Sequence, residues 1–571
     1  MSHPASPSPS RPHAAWRFWD NPIFRRYCRS RLRPRGLVVS MLITVLIAGF
    51  LFAITRSAAE YRAHLTAADA ERAPLIPLLI FQGLILFVLG TAQVSGGMVA
   101  ERDEGVIDYQ RLIPMTPVAK VIGYLFGLPI REYVMVFATL PFTGWCLWKG
   151  DVATSTWLPL YTVFFTSTLL YHFTGLLTGT VVKNRRWAFL VSIGLVFCLY
   201  TVVPQMARFG LVFFKYLTIT PVLEEGMPYL LPKPVGAVIE VGKLLAPTVK
   251  FFNLDFSETV FTVFSQSSLI LTFLIMLTRR WKRAESHLLG KIWAVVFFIW
   301  IQILLLGNAL PLVESGKLFP FRGVARFLSV AHPTDDWRPS AVETVGMSGL
   351  YGCVTLILLF ILSGLITPSP EGQERGWRRA RKQGGNSLAP LSDPATGFWF
   401  TIVMAVAGAG GWYLFTRGLV ESRWFPGHTV PLPVLGYFAV VMLAVGIAFQ
   451  TLLESRGSRF MGLAVILGGI TPVLVGAVLS TISNGLGTAA AWVIAISPAS
   501  LPLYASGSLL SIAELPVGIS RAVPRAFHFW LLVMTIVAVW QAFRLAATRA
   551  AMARQVLGNE TGSTEAEQEP S

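Results

Sequence analysis

The chain has 571 residues, 54% hydrophobic and only 13% charged, with a net charge of +17. An ordinary soluble domain carries about 25% charged residues, so there is too little polar surface here for a water-soluble fold of this size. The basic excess is spread over many short stretches between apolar segments, which marks membrane topology and not a nucleic-acid surface.

Residues 1–15 are rich in Ser and Pro, hold no apolar core of the signal-peptide kind, and are expected to form a disordered cytoplasmic tail. A basic amphipathic run, including Arg25, Arg26, Arg29, Arg31, Arg33 and Arg35, completes the lead-in segment 1–36. Apolar stretches long enough to cross a bilayer then follow at 37–55, 74–95, 130–148, 157–181, 187–207, 257–278, 291–309, 343–366, 398–416, 430–453, 460–481 and 526–545. No ten-residue alternation of period two suggests an outer-membrane barrel. The expected fold is therefore all-α and polytopic, with about twelve transmembrane helices. Lys and Arg are denser in the connections that share a side with the N-terminus. Both termini, including the tail 546–571, are accordingly expected in the cytoplasm, with the chain in a cell inner membrane.

Two apolar stretches are interrupted. Residues 488–512 contain Ser497-Pro498, Leu501-Pro502 and Gly507, and 208–256 contain Thr220-Pro221 and Leu231-Pro232-Lys233-Pro234. Both are expected as outer re-entrant or surface helices between the fifth and sixth spans of two six-helix halves, 37–283 and 284–545. The stretch 367–397, with Glu374, Arg375, Arg378, Arg379, Arg381 and Lys382, is read as a disordered basic linker in preference to a docking element.

The most informative stretch lies between the second and third spans. A single amphipathic helix over 98–113, ended by Pro114 or Pro117, would align Glu101, Glu104, Asp108 and Arg111 in one charged stripe. Val99, Val106, Tyr109 and Ile113 would fall on another side. Helices that simply lie on an anionic leaflet are usually basic. Because this one is acidic, a protein partner is the preferred reading.

The pattern Glu101-Arg102-x-x-Gly105-x-x-Asp108, followed by Arg111-Leu112-x-Pro114-x-Thr116, resembles the cytoplasmic coupling segment of ABC-2 type ABC transporter permeases. The opening Trp19-Asp20-Asn21-Pro22-Ile23-Phe24-Arg25-Arg26 is similar to the N-terminus of that family. Two positions depart: Ile113 stands where a Thr is usual, and Gly123-Tyr124 where Gly-Lys is usual. The resemblance implies a transmembrane permease subunit that exports an unidentified substrate. Glu101, Arg102, Glu104, Gly105, Asp108, Arg111 and Pro114 would couple it to a separate cytoplasmic ABC ATPase. It would bind no cofactor directly, and ATP would act through the partner. Further partners implied are the lipid bilayer and either a second copy or a second permease, with no nucleic acid. In agreement, no Gly-x-x-x-x-Gly-Lys-(Ser/Thr) occurs in the chain.

Other chemistry is sparse. An ion-coupled transporter needs ionisable groups within its spans, and the span interiors offer almost none: His172 and His528 are isolated, and Arg131-Glu132 is the exception. If the third helix starts at Pro129, Arg131 and Glu132 form an interfacial structural pair; if it starts near Val121, they are buried and belong to a path or gate. A membrane-embedded enzyme would have to draw on Glu224-Glu225, His332 or Asp335-Asp336, none at motif spacing, so no catalytic residue is assigned. Cys28, Cys146, Cys198 and Cys353 are widely separated, and no metal site is expected. A scaffold subunit without its own pore is the remaining alternative.

Overall fold

The computed structural model describes residues 17–61, 65–182, 184–232, 248–319, 338–385, 387–510 and 517–558. Among these residues ten helices are long and apolar enough to cross a membrane, or up to twelve if each of two bent helix pairs forms one span. In lipid each backbone N–H and C=O must be satisfied within its own element, which a helix does. Among the described residues the only sheet is a two-stranded hairpin, β1 (Thr248–Phe251) with β2 (Leu254–Ser257). The chain is thus a multi-pass helical membrane protein.

By contact it resolves into two units, one of Met1–Ala207, Phe214–Val249 and Asp255–Glu285, the other of Arg208–Phe213, Lys250–Leu254 and Ser286–Ser571. The first holds α1 (Pro22–Arg31), α2 (Pro34–Glu60), α3 (Ala67–Asp103), α4 (Val106–Leu112), α5 (Pro117–Gly127), α6 (Ile130–Lys149), α7 (Thr154–Val181), most of α8 (Arg185–Phe209), α9 (Thr220–Leu230) and α10 (Glu258–Lys282). Their starts follow from local chemistry. Asn21, Thr116 and Ser257 accept hydrogen bonds from the exposed N–H groups that open α1, α5 and α10. Pro22, Pro34 and Pro117 occupy first-turn positions where no N–H is needed. In α2, Val39, Leu42, Leu46 and Phe50 are all exposed, an apolar surface that water would not tolerate and lipid does. The α3 ladder widens into a π turn over Leu84–Gly90, and the Leu86 carbonyl meets His172 Nε2 at 3.0 Å. Tyr133 Oη lies 2.9 Å from the other ring nitrogen of His172, so this buried histidine is satisfied on both sides.

The second unit holds α11 (Lys291–Val313), α12 (Ala341–Ile366), α13 (Pro370–Lys382), α14 (Phe398–Val420), α15 (Pro433–Ile482), α16 (Gly487–Ala495), α17 (Leu501–Leu509) and α18 (Val517–Gly558). Small polar side chains bridge its helices: Tyr351 donates to Gln302 at 2.7 Å, and Ser348 Oγ lies 2.6 Å from Thr416 and 3.0 Å from Ser506. Gly457, with φ of 81° and ψ of 174°, breaks α15. The break falls between 430–453 and 460–481, the two stretches read as separate spans.

Several expectations are corrected. The third span is a pair, α5 and α6, meeting at a 51° bend. The stretch 367–397 is not a free linker. It carries α13, capped by Ser369, and Lys291 Nζ donates to the carbonyls of Pro390, Ser392 and Ala395 at 2.7–2.9 Å. The C-terminal stretch from 546 stays helical to Gly558. Within 208–256, α9 and short 3₁₀ turns are joined by a hairpin that the apolar pattern did not announce. The stretch 488–512 contains two short helices bent by 103°. The tail 1–15, residues 233–247, His332, Asp335 and Asp336 lie outside the described residues.

Candidate functional site

The stretch expected as one helix over 98–113 is two. Ala100 O and Arg102 O accept from the N–H groups of Glu104 and Gly105 as α3 ends, and Gly105 turns left-handed with φ of 72° before α4 begins. Glycine meets that backbone without a Cβ clash, so Gly105 is the stop signal. The turn also rotates the following residues, and the single charged stripe does not form.

Glu101 points inward. Its carboxylate pairs with Arg26 of α1 and accepts from Tyr124 Oη of α5 at 3.2 Å. The single Tyr124 hydroxyl proton is shared with the buried Gln110 Oε1 of α4, the nearer acceptor at 2.7 Å. Arg102 reaches the carbonyls of Gly179 and Val182 at 3.3 and 2.8 Å, closing the end of α7. Arg111 pairs with Asp108 across one turn of α4. Pro114 is exposed between α4 and α5.

What faces outward is Asp103, Glu104, Gly105, Asp108, Tyr109 and Leu112. Asp108 has 80% of its side chain exposed, Tyr109 is 70% exposed and Leu112 83%. Tyr109, expected on a side apart from the charged stripe, is thus exposed next to Asp108. Ile107 and Gln110 take the buried positions because the helix phase restarts after Gly105.

Beneath this rim lies a packed cluster that includes Ile23, Tyr27, Met98, Ile107, Tyr124, Leu277 and Trp281. Tyr124 stacks on Trp281 with centroids 5.3 Å apart and meets Tyr27 edge-on at 5.7 Å. Asn21, whose side chain caps α1, also donates from Nδ2 to the Ala119 carbonyl of α5 at 2.6 Å. A Cβ on Gly123 would lie 2.7 Å from Asn21 Oδ1, and one on Gly127 would lie 2.7 Å from Tyr27 Cδ2. The Gly-x-x-x-Gly groove of α5 thus receives α1, and it explains Gly123-Tyr124: the glycine admits the neighbour and the tyrosine ties three helices together. The spacing of Gly123 and Gly127, with Asn21 before Pro22, was the signal for this contact.

Arg131 and Glu132 open α6 just after the bend, their side chains 3.1 Å apart. Glu132 is buried while Arg131 is partly exposed. The helix begins as the interfacial reading required, yet the carboxylate is enclosed as the alternative required.

Among the described residues, no group of three His, Cys, Asp or Glu side chains could hold a metal. The chain matches no family model, no curated protein and no solved structure.

Proposed function

We propose that this chain is the membrane-spanning permease subunit of an ABC-2 type transporter, exporting its substrate with energy from ATP hydrolysed by a separate ATPase. The ATPase would seat on the turn between α3 and α4, at the cytoplasmic ends of the spans. One observation carries the reading: α4 and the turn before it are anchored on one side by a packed aromatic cluster and present Glu104, Asp108, Tyr109 and Leu112 outward on the other. An exposed rim of charge and apolar side chain on a rigid base suits a protein partner that must deliver force. Arg102, Gly105 and Arg111 shape this element from within, and Glu101 serves by holding α1.

The order of elements supports two related halves. A short helix follows the second span in each, α4 and α13, and short helices precede the last span in each, α9 and then α16 with α17.

The test is isolation of the full chain with its native associates and assay for a bound ATPase. Glu104→Lys with Asp108→Lys should weaken that association by at least about tenfold while membrane insertion is kept. Leu112→Ala should weaken it further. Glu101 is left intact, since its change would disturb α1. Undiminished association of the charge-reversed chain, or isolation without any ATPase, would overturn the proposal.

A further inference from the structure

On the inner side of α4 is a cavity of about 300 Å³ in the first unit, lined in part by Arg102, Arg111 and Arg280. Among the described residues that line it, Asp108 is the one carboxylate, and most of that side chain is exposed. Arg102 is committed to the carbonyls that end α7. Among the described residues, the buried Nε of Arg111 has no hydrogen-bond partner. Arg111 also lies near enough to Arg280 and Lys120 to repel both. Met98, Leu277 and Trp281 add an apolar wall to the lining.

We propose that this cavity binds a phosphate group, carried either by an anionic lipid headgroup or by a soluble phosphate. A guanidinium is a planar fork of N–H donors suited to oxyanions, and several around one cavity match a tetrahedral anion with many acceptor oxygens. Its negative charge would relieve the crowding of Arg111 and Arg280, whereas a cation would worsen it and a neutral ligand would leave it. The apolar wall beside the cations accommodates the glycerol end of a lipid, and the cavity lies at the ends of α3, α7 and α10, where headgroups are found. An anion there would join α4 to α10 by charge as well as by packing. The inference is independent of which partner uses the outer rim.

The test uses the full chain purified in an uncharged detergent. Its unfolding midpoint and the lipid it retains in native mass spectrometry are followed with dioleoylphosphatidylglycerol, dioleoylphosphatidylcholine and inorganic phosphate at equal ionic strength. Phosphatidylglycerol should raise the midpoint and leave one tightly held lipid, and phosphatidylcholine should do neither. Arg111→Gln with Arg280→Gln should lower the apparent affinity at least tenfold. Should that pair fail to fold, Arg280→Gln alone should lose the response and Arg280→Lys keep part of it. Lys282→Gln, outside the cavity, should respond as the unaltered chain does. Protection by inorganic phosphate alone would assign the site to a soluble phosphate. Equal binding by the unaltered chain and the arginine variants, or binding of neither probe, would overturn the proposal.

Discussion

Gly127 has no room for a larger side chain, because its Cβ position already lies against the ring of Tyr27. Gly127→Val should therefore lift α1 from its groove and cost about 1–3 kcal/mol through overpacking. Trypsin cleavage after Arg25, Arg26 and Arg29 should accelerate in that variant, and unchanged cleavage would show that α1 is held elsewhere. Tyr124→Phe acts differently: shape is kept, but the buried Gln110 loses its donor, at a cost of about 1–3 kcal/mol. The neighbouring Tyr27 hydroxyl is pushed above its ordinary value, first by burial and then by Tyr124 and Glu101. A raised value means that the folded state favours the neutral phenol. Its contribution is complete below the unfolded phenol value of about 10 and is lost as pH rises beyond it. Detachment of α1 at high pH, followed by tryptic susceptibility of the quenched sample, should need a higher pH in Tyr27→Phe than in the unaltered chain.

At the scale of one element, the turn between α3 and α4 depends on a backbone conformation. No atom lies within 4 Å of a Cβ built on Gly105, so Gly105→Ala meets no neighbour, only the left-handed φ. That costs about 1–2 kcal/mol, and Asn, which tolerates this region, should cost less. Amide exchange over 100–112 should quicken in the alanine variant more than in the asparagine one; the reverse order would mean that the turn is not held left-handed. The position of α13 depends on a buried charge. Glu454, fully enclosed, is bonded by Gln373 of α13 and Arg549 of α18. Glu454→Ala strands Arg549 and removes the anchor of α13, an effect of about 3–5 kcal/mol. Changing Arg549 to Met as well should recover part of that loss, measured by thermal unfolding, because no uncompensated charge then remains.

For the molecule as a whole, the spans were legible because lipid imposes length and apolarity on every crossing, and α2 or α11 could hardly be read otherwise. Contacts between segments distant in sequence were not legible. Nothing in the 98–113 pattern reveals that Glu101 faces Arg26, since an i, i+3, i+7 stripe assumes one uninterrupted helix and Gly105 interrupts it. The charge run of 374–382 looked like a linker because the helix that carries it is tied by Gln373 to Glu454 and by Arg381 to the Val556 carbonyl, both much later in the chain. Those same contacts bear on topology. Arg381 donates to Val556, and Glu454 pairs with Arg549, so the last turns of α18 lie at the end of the second unit that follows α12. Trp492 of α16 meets Phe529 of α18, about 30 Å along that helix from Arg549 at 1.5 Å per residue. The short helices α16 and α17 therefore sit by the early part of α18, and twelve crossings also result if α15, broken at Gly457, crosses twice while this pair, bent by 103°, does not cross. With twelve crossings, Asp108, Arg378 and Arg554 must share one side, and Glu60 and Arg423 the other. In a chain whose four native cysteines are replaced by serine, single cysteines at the first three positions should react with a membrane-impermeant maleimide only in inverted vesicles. Those at the last two should react only from outside. Labelling of Arg554→Cys together with Arg423→Cys would mean that the bent pair crosses after all, which would place the tail of α18 outside and undo the twelve-span count.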